Sequence, residues 1–138
     1  MTHTFADYDK VVHETQERQG HYAKDVDAGY TAEYLQTLTP NGFPKAKLAI
    51  KVGCPVMLLR NLDPSQGLCN GTRLLITRTS THVLEGRILG GDHNEKPVFI
   101  PRITLYSHKS DLTFILARRQ FPVRLAFAIN IILNIHVQ

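Results

Sequence analysis

Between Val52 and Arg78 the chain reads VGCPVMLLRNLDPSQGLCNGTRLLITR, two short apolar runs separated by a loop dense in turn residues. Val56-Met57-Leu58-Leu59 and Leu74-Leu75-Ile76 have the length of buried strands and are too short to supply the face of a helix. Asn61, Asp63-Pro64, Gly67 and Asn70-Gly71 fill the space between them. Asn-Gly tolerates positive φ at both positions, so it predicts a tight turn at the start of the second strand. Arg60, Arg73 and Arg78 punctuate the two runs. Backbone donors and guanidinium groups gathered around one turn form a surface suited to phosphate. This is a binding signal without catalytic chemistry.

The surrounding sequence extends the β pattern. Leu48, Ile50 and Val52 alternate with Lys47, Ala49 and Lys51, one apolar face against one basic face. Further strands are predicted near 55–60, 72–79, 82–89 and 97–105, with Gly90-Gly91-Asp92-His93-Asn94 as the turn between the last two. Asp111 to Leu116 offers one more before Arg118-Arg119. Strands this short and closely spaced favour a small barrel or a curled antiparallel sheet. A helix is predicted over Tyr30–Leu38, capped by Thr31 and stopped by Pro40-Asn41-Gly42. Residues 1–29 read as a polar, acidic stretch, a mobile lead or an insertion, with a short exposed helix open to Glu14–Lys24. At the other end, VRLAFAINIILNIHVQ is apolar, free of acids and high in β-propensity, the makeup of an aggregation-prone segment.

Composition narrows the class. At 138 residues with 43% hydrophobic content the chain can build one core, largely aliphatic because it holds no Trp and two Met. The amino terminus has no apolar secretory segment and no run is long enough to span a bilayer, so a soluble intracellular protein is expected, with Cys54 and Cys69 as free thiols. The net charge of +4 conceals an asymmetry: residues 1–33 hold seven acids against three bases, whereas residues 34–138 hold thirteen bases against five acids. The basic part coincides with the strands, which points to a polyanionic partner.

No catalytic constellation stands out. Cys54 and Cys69 lack the paired spacing of a zinc site, so no metal is expected. Asp92-His93 sits in a Gly-rich turn, where both residues are turn formers. The candidate nucleic-acid contacts are Arg60, Asn61, Asn70, Gly71, Thr72, Arg73, Arg118, Arg119 and Arg124, with Arg102 a further candidate for phosphate.

VGCPVMLLRNLDPSQGLCNGTRL, followed by KPVFIPRITL and RRQFPVRLAFA, resembles the carboxyl-terminal part of the PIF-type 5′-to-3′ DNA helicases, most nearly the variety carried by Helitron-like transposable elements. YTAEYLQTLTPNGFPKAKLAIK is similar to the segment leading into that region, and TFADYDKVV to a short upstream strand. The resemblance covers residues 30–128 well and 4–12 loosely. It implies an α+β, strand-rich fold: a small β-barrel-like insert attached to an incomplete RecA-like α/β motor domain. On that basis residues 1–29 are the lead, 30–46 a short helix and linker, 47–117 the barrel-like region with adjoining strands, and 118–138 a partial second RecA-like segment with an aberrant tail.

The same resemblance implies a role: contact with single-stranded DNA beside an ATP-driven motor. At family level it implies nuclear location and processes such as DNA repair, recombination and telomere maintenance. ATP and Mg²⁺ are cofactors of the complete enzyme. None is expected for this chain, because the Gly-x-x-x-x-Gly-Lys-Ser/Thr loop is absent, and Ile129-Asn130-Ile131-Ile132-Leu133-Asn134 stands where the family carries an Asn/His-Lys-x-Gln-Gly motif. A missing amino-terminal motor domain is the implied protein partner. Two other readings stand beside this one: a stand-alone nucleic-acid-binding module, and an inactive remnant of a mobile element.

Overall fold

The computed structural model describes residues 2–14, 22–25, 29–108 and 111–126. Eleven strands and one short α-helix follow in the order β1 (Thr2–Phe5), β2 (Tyr8–Glu14), β3 (Tyr22–Asp25), α1 (Ala32–Gln36), β4 (Lys47–Ile50), β5 (Pro55–Leu58), β6 (Arg73–Thr79), β7 (Val83–Ile88), β8 (Pro97–Pro101), β9 (Ile103–Tyr106), β10 (Ile115–Gln120) and β11 (Val123–Leu125). A single 3₁₀ turn, Pro64–Gln66, interrupts the β5–β6 connection.

All pairing is antiparallel and falls into three sheets: β11-β5-β6-β7-β8, β3-β2-β10-β9, and the pair β1-β4. Strand richness is as expected, and β5 to β8 form a meander because each is joined to the next by a Gly-containing or short turn. The hydrogen bonding closes no barrel among the described residues; of the two architectures the sequence favours, the open sheet is the one found. Proline explains one edge: Pro97 and Pro101 bracket β8, where a missing N–H blocks further pairing.

The five-stranded sheet buries every second residue. Val56 and Leu58, Leu74 and Ile76, Leu84 and Ile88, Val98 and Ile100 meet Leu48 and Ile50 of β4 and Phe121 and Val123 in one cluster. Each large aliphatic side chain removed from water contributes about 1.5–3 kcal/mol, so this cluster is the principal stabilising element of the fold. A second core, Val11, Leu35, Phe43, Leu105 and Leu116, seats α1 on the four-stranded sheet. Thr31 caps α1 as its sequence predicts, its Oγ1 accepting from the Tyr34 N–H at 3.1 Å.

Several local expectations are corrected. The strand predicted over 97–105 is two, β8 and β9, which part at Arg102 into different sheets, and Val52, predicted on the apolar face, follows the end of β4 and is exposed. Glu14 ends β2 and Tyr22–Asp25 is a strand paired with it, so neither end of the predicted Glu14–Lys24 helix is helical; residues 15–21 lie outside the described residues. Within residues 1–29, β1 and β2 pair with β4 and β10, and β2 falls on the TFADYDKVV segment that resembles an upstream strand. The β2–β10 pairing joins segments about a hundred positions apart, so no local pattern announces which strands pair. The strand predicted over Asp111–Leu116 starts instead at Ile115 and runs through Arg118-Arg119 to Gln120, while 111–114 form a turn. The aberrant tail from residue 127 lies outside the described residues. No helix among the described residues is long and apolar enough to cross a membrane.

Candidate nucleic-acid interface

The β5–β6 connection is built as a rigid promontory. Thr72 N–H donates to Cys69 O at 3.0 Å with Gly71 at φ 94°, the pattern of a type II turn, which needs glycine at its third position. Asn70 keeps negative φ, so the Asn-Gly pair turns with one left-handed residue rather than the two its sequence permits. Thr72 Oγ1 donates to Gly67 O at 2.9 Å and accepts from the Cys69 N–H at 3.2 Å. Asn61 Oδ1 accepts from the Asn70 N–H at 2.8 Å, and the Gly71 N–H donates to Leu58 O at 2.8 Å.

These bonds correct the proposed chemistry of the turn. The amides of Asn70, Gly71 and Thr72, and the Thr72 hydroxyl, are already used in holding the loop. What the turn offers a ligand is the Asn70 side chain, the bare surface at Gly71, where a Cβ would meet nothing within 4 Å, and the Arg73 guanidinium. The neighbouring 3₁₀ turn docks onto the β7–β8 loop through Gly67, where a Cβ would stand 2.8 Å from His93 Cδ2. Lys96 reaches Gln66 across the same contact.

Two concavities flank this promontory. On one side a groove of about 450 Å³ is lined by the 39–45 loop (Thr39, Asn41, Gly42, Phe43, Lys45) and by Met57, Leu59, Asn70 and Arg124. No acidic side chain is among the described residues that line it. Lys45 and Arg124 are exposed, and Arg124 Nη2 lies 3.5 Å from Met57 Sδ, a weak acceptor that leaves its charge uncompensated. Arg60 stands behind the rim, donating from Nη1 to Gly42 O at 2.8 Å and to Leu59 O at 2.9 Å. Desolvation by burial lowers its pKa from the ordinary arginine value, as expected for a half-buried cation without a carboxylate. On the other side a cleft of about 300 Å³ is lined by Gly67, Gly71, Thr72, Arg73 and the Ile88–His93 segment.

The sequence candidates therefore divide. Arg60, Asn61, Asn70, Gly71, Thr72, Arg73 and Arg124 converge on the promontory and its two flanks. Arg118 does not: it is fully buried on β10, paired with Asp9 and donating to Pro44 O and Leu35 O, each at 3.0 Å. Arg102 is likewise buried, bonded to Phe5 O at 2.7 Å and Thr81 O at 2.8 Å and paired with Asp7 at 3.3 Å. Arg119, exposed on the same strand as Arg118, pairs with Asp7 at 3.2 Å and lies apart from the groove residues. The burial of Arg118 follows from the extent of β10: the strand spans 115–120 and is covered on both faces over 115–118, so 118 falls inside it rather than after it.

Charge pairing separates the arginines more sharply than exposure does. Among the described residues Arg78, Arg87, Arg102, Arg118 and Arg119 each ion-pair with an acid. Arg60, Arg73 and Arg124 have no such pair, and all three surround the promontory. Sequence reasoning missed Lys45, Asn41 and Thr39; the Pro40-Asn41-Gly42-Phe43-Pro44 run signals a helix stop, and nothing in it says that the ensuing loop forms a wall. No group of three or more His, Cys, Asp or Glu among the described residues is placed to hold a metal ion, and the free thiols Cys54 and Cys69 take no part.

Comparison with known proteins bears on this geometry. The chain matches the family model of the DNA helicase Pif1 2B domain over residues 33–79, the span of α1, the groove wall and the promontory. A comparison with curated proteins gives no match. Among solved structures, Pif1 helicase from Candida albicans superposes with a TM-score of 0.54 at 18% identity, covering 91% of this chain and 28% of that one. Pif1 from Bacteroides sp, unliganded, gives 0.46 at 27% identity over 59% of this chain and 26% of that one. Bacteroides Pif1 bound to ssDNA gives 0.45 at 28% identity over 59% and 20%. This chain thus spans under a third of the length of these helicases. Residues 33–79 resemble the Pif1 2B domain, and the strand-rich fold around them is similar to that of the Candida albicans helicase.

Proposed function

We propose that this chain is a portion of a Pif1-type DNA helicase that holds single-stranded DNA beside an ATP-driven motor and has no ATPase activity of its own. One observation carries the reading: three cations without an acid partner among the described residues stand at one groove, Lys45 and Arg124 in its lining and Arg60 behind its rim, and no acid is among the described residues that line it. Uncompensated cations on a rigid frame bind phosphate at little reorganisation cost, and the guanidinium fork suits its oxygens. Phe43, Leu59 and Met57 give the groove an apolar floor against which sugars and bases fit. The 2B-domain match supports DNA as the polymer. The lack of ATP hydrolysis and a nuclear location belong to the same proposal and rest on the motif content and the resemblance.

The test is fluorescence anisotropy of a labelled single-stranded oligonucleotide with the purified chain, across a salt series. Saturable binding is expected, with log K falling linearly in log salt at about 0.7 per phosphate neutralised. Folded, soluble protein that fails to bind at low salt would sink the reading. An ATPase assay with added DNA is expected to give no turnover.

A further inference from the structure

The groove and the cleft are joined by a register that neither reveals alone. Arg124 on β11 faces Met57 on β5, and Met57 faces Arg73 on β6. Residues directly opposite on neighbouring strands point to the same face of a sheet, so these three side chains form one row on the solvent face. Burial agrees: their neighbours Val123, Val56, Leu58 and Leu74 point inward and are buried. Arg124 and Met57 line the groove, while Arg73 lines the cleft. Two strand spacings of about 4.8 Å put the arginine backbones about 10 Å apart.

We propose that the two concavities are one composite site for a single-stranded nucleic acid. On this view the strand leaves the Lys45–Arg124 groove, crosses the five-stranded sheet over Met57 beside the Asn70-Gly71 turn, and enters the Arg73 cleft. The proposal rests on the groove reading above and extends it by a second phosphate contact and a direction of travel across the strands. Arg73 has no acid partner among the described residues, as a waiting phosphate contact requires. Gly71, bare of Cβ contacts, lets a sugar-phosphate backbone pass close to the turn. Thr72 fixes that turn, its hydroxyl committed to Gly67 O, so the crossing point is stiff. Asp92 also lines the cleft, and it places a negative limit there against the strand continuing toward the β7–β8 loop.

Oligonucleotide length separates the two halves. With oligothymidylates of about four and about twelve nucleotides, a short and a long length within the range of single-strand site sizes on small β domains, anisotropy titrations of the full chain are compared for Arg73→Gln and Arg124→Gln, with thermal melts confirming that each variant folds. Arg124→Gln is expected to weaken both lengths several-fold. Arg73→Gln is expected to spare the short oligonucleotide, weaken the long one several-fold, and reduce its salt slope by about 0.7. If Arg73→Gln leaves the long oligonucleotide's affinity and salt slope unchanged while Arg124→Gln weakens it, the composite site is wrong and the groove reading survives. If neither variant changes binding, both fall.

Discussion

Arg118 and Arg124 lie on consecutive strands, yet the fold uses them in opposite ways. Arg118 is sealed from solvent, its guanidinium shared among Asp9 and the carbonyls of Leu35 and Pro44. Gln120 continues that buried column, donating to Ala46 O at 2.9 Å and accepting from the Phe121 N–H at 2.9 Å. Arg102 extends it with Gln120 Oε1 at 3.2 Å and packs over the Phe121 ring at 4.5 Å. At the promontory, by contrast, Arg124 and Arg73 lie on the solvent face with no carboxylate. A buried cation must be satisfied from every side or it unfolds its surroundings; an exposed one can be left open because water holds it until a ligand arrives. The comparison teaches that arginine count says little about DNA contact, and that the test is whether the charge is already spent.

The comparison breaks first at Arg118. Replacing it with Met keeps much of the stem volume and strands the Asp9 carboxylate, itself almost wholly buried. Removing one partner of a buried pair costs about 3–5 kcal/mol, so urea denaturation of Arg118→Met should show a midpoint far below that of the parent, with parent-like stability partly regained in Arg118→Met/Asp9→Leu. A single variant within about 0.5 kcal/mol of the parent would mean that Arg118 is not the pin described here.

The wall of the groove offers the next effect. Gly42 has φ +76°, and a Cβ there would lie 3.2 Å from Arg60 Nη1. Gly42→Ala should cost about 1–2 kcal/mol from the left-handed backbone alone, and displacing Arg60 should also weaken oligonucleotide binding. Stability and affinity are therefore expected to move together at this position, between the buried Arg118 and the solvent-facing Arg124. Loss of stability with affinity unchanged would detach the 39–45 wall from the site.

Gln120→Ala tests the other support of that wall. Its amide holds Lys45 O and Ala46 O, and its loss leaves buried carbonyls, the Phe121 N–H and Arg102 short of partners. About 1–3 kcal/mol is expected, read by thermal or denaturant melting. An unchanged melt would show that water replaces the amide there.

Which parts could be read from sequence follows from the range of each interaction. The hairpin strands β5 to β8, the Thr31 cap and the turn residues depend on neighbours within a few positions, and alternation or turn chemistry marks them. Asn70, Arg73 and Arg124 could be singled out because arginine beside turn residues suits phosphate. The pairing of β2 with β10 and the burial of Arg118 depend on contacts between Asp9 and the far end of the chain, which leave no periodic trace. The same holds for Lys45: its role depends on Arg60, Arg118 and Gln120 hanging the 39–46 segment from two different sheets. RecA-like character of the final segment rests on the resemblance alone, for among the described residues it is the strands β10 and β11 that follow residue 114.

The smallest structural effect is the most informative for function. Arg124→Gln removes a solvent-facing charge whose nearest contact is a thioether, so stability should stay within about 0.5 kcal/mol of the parent. Oligonucleotide affinity should nevertheless fall several-fold, with a shallower salt dependence, because one phosphate contact is lost. Arg119→Gln makes the matched control: equally a solvent-exposed arginine, but already paired with Asp7 at 3.2 Å and not part of the groove lining. Parent-like binding by Arg119→Gln beside weakened binding by Arg124→Gln would show that unspent charge selects the DNA contacts. Equal losses in both would reduce the interface to net positive charge, and the distinction between paired and unpaired arginines would carry no functional meaning.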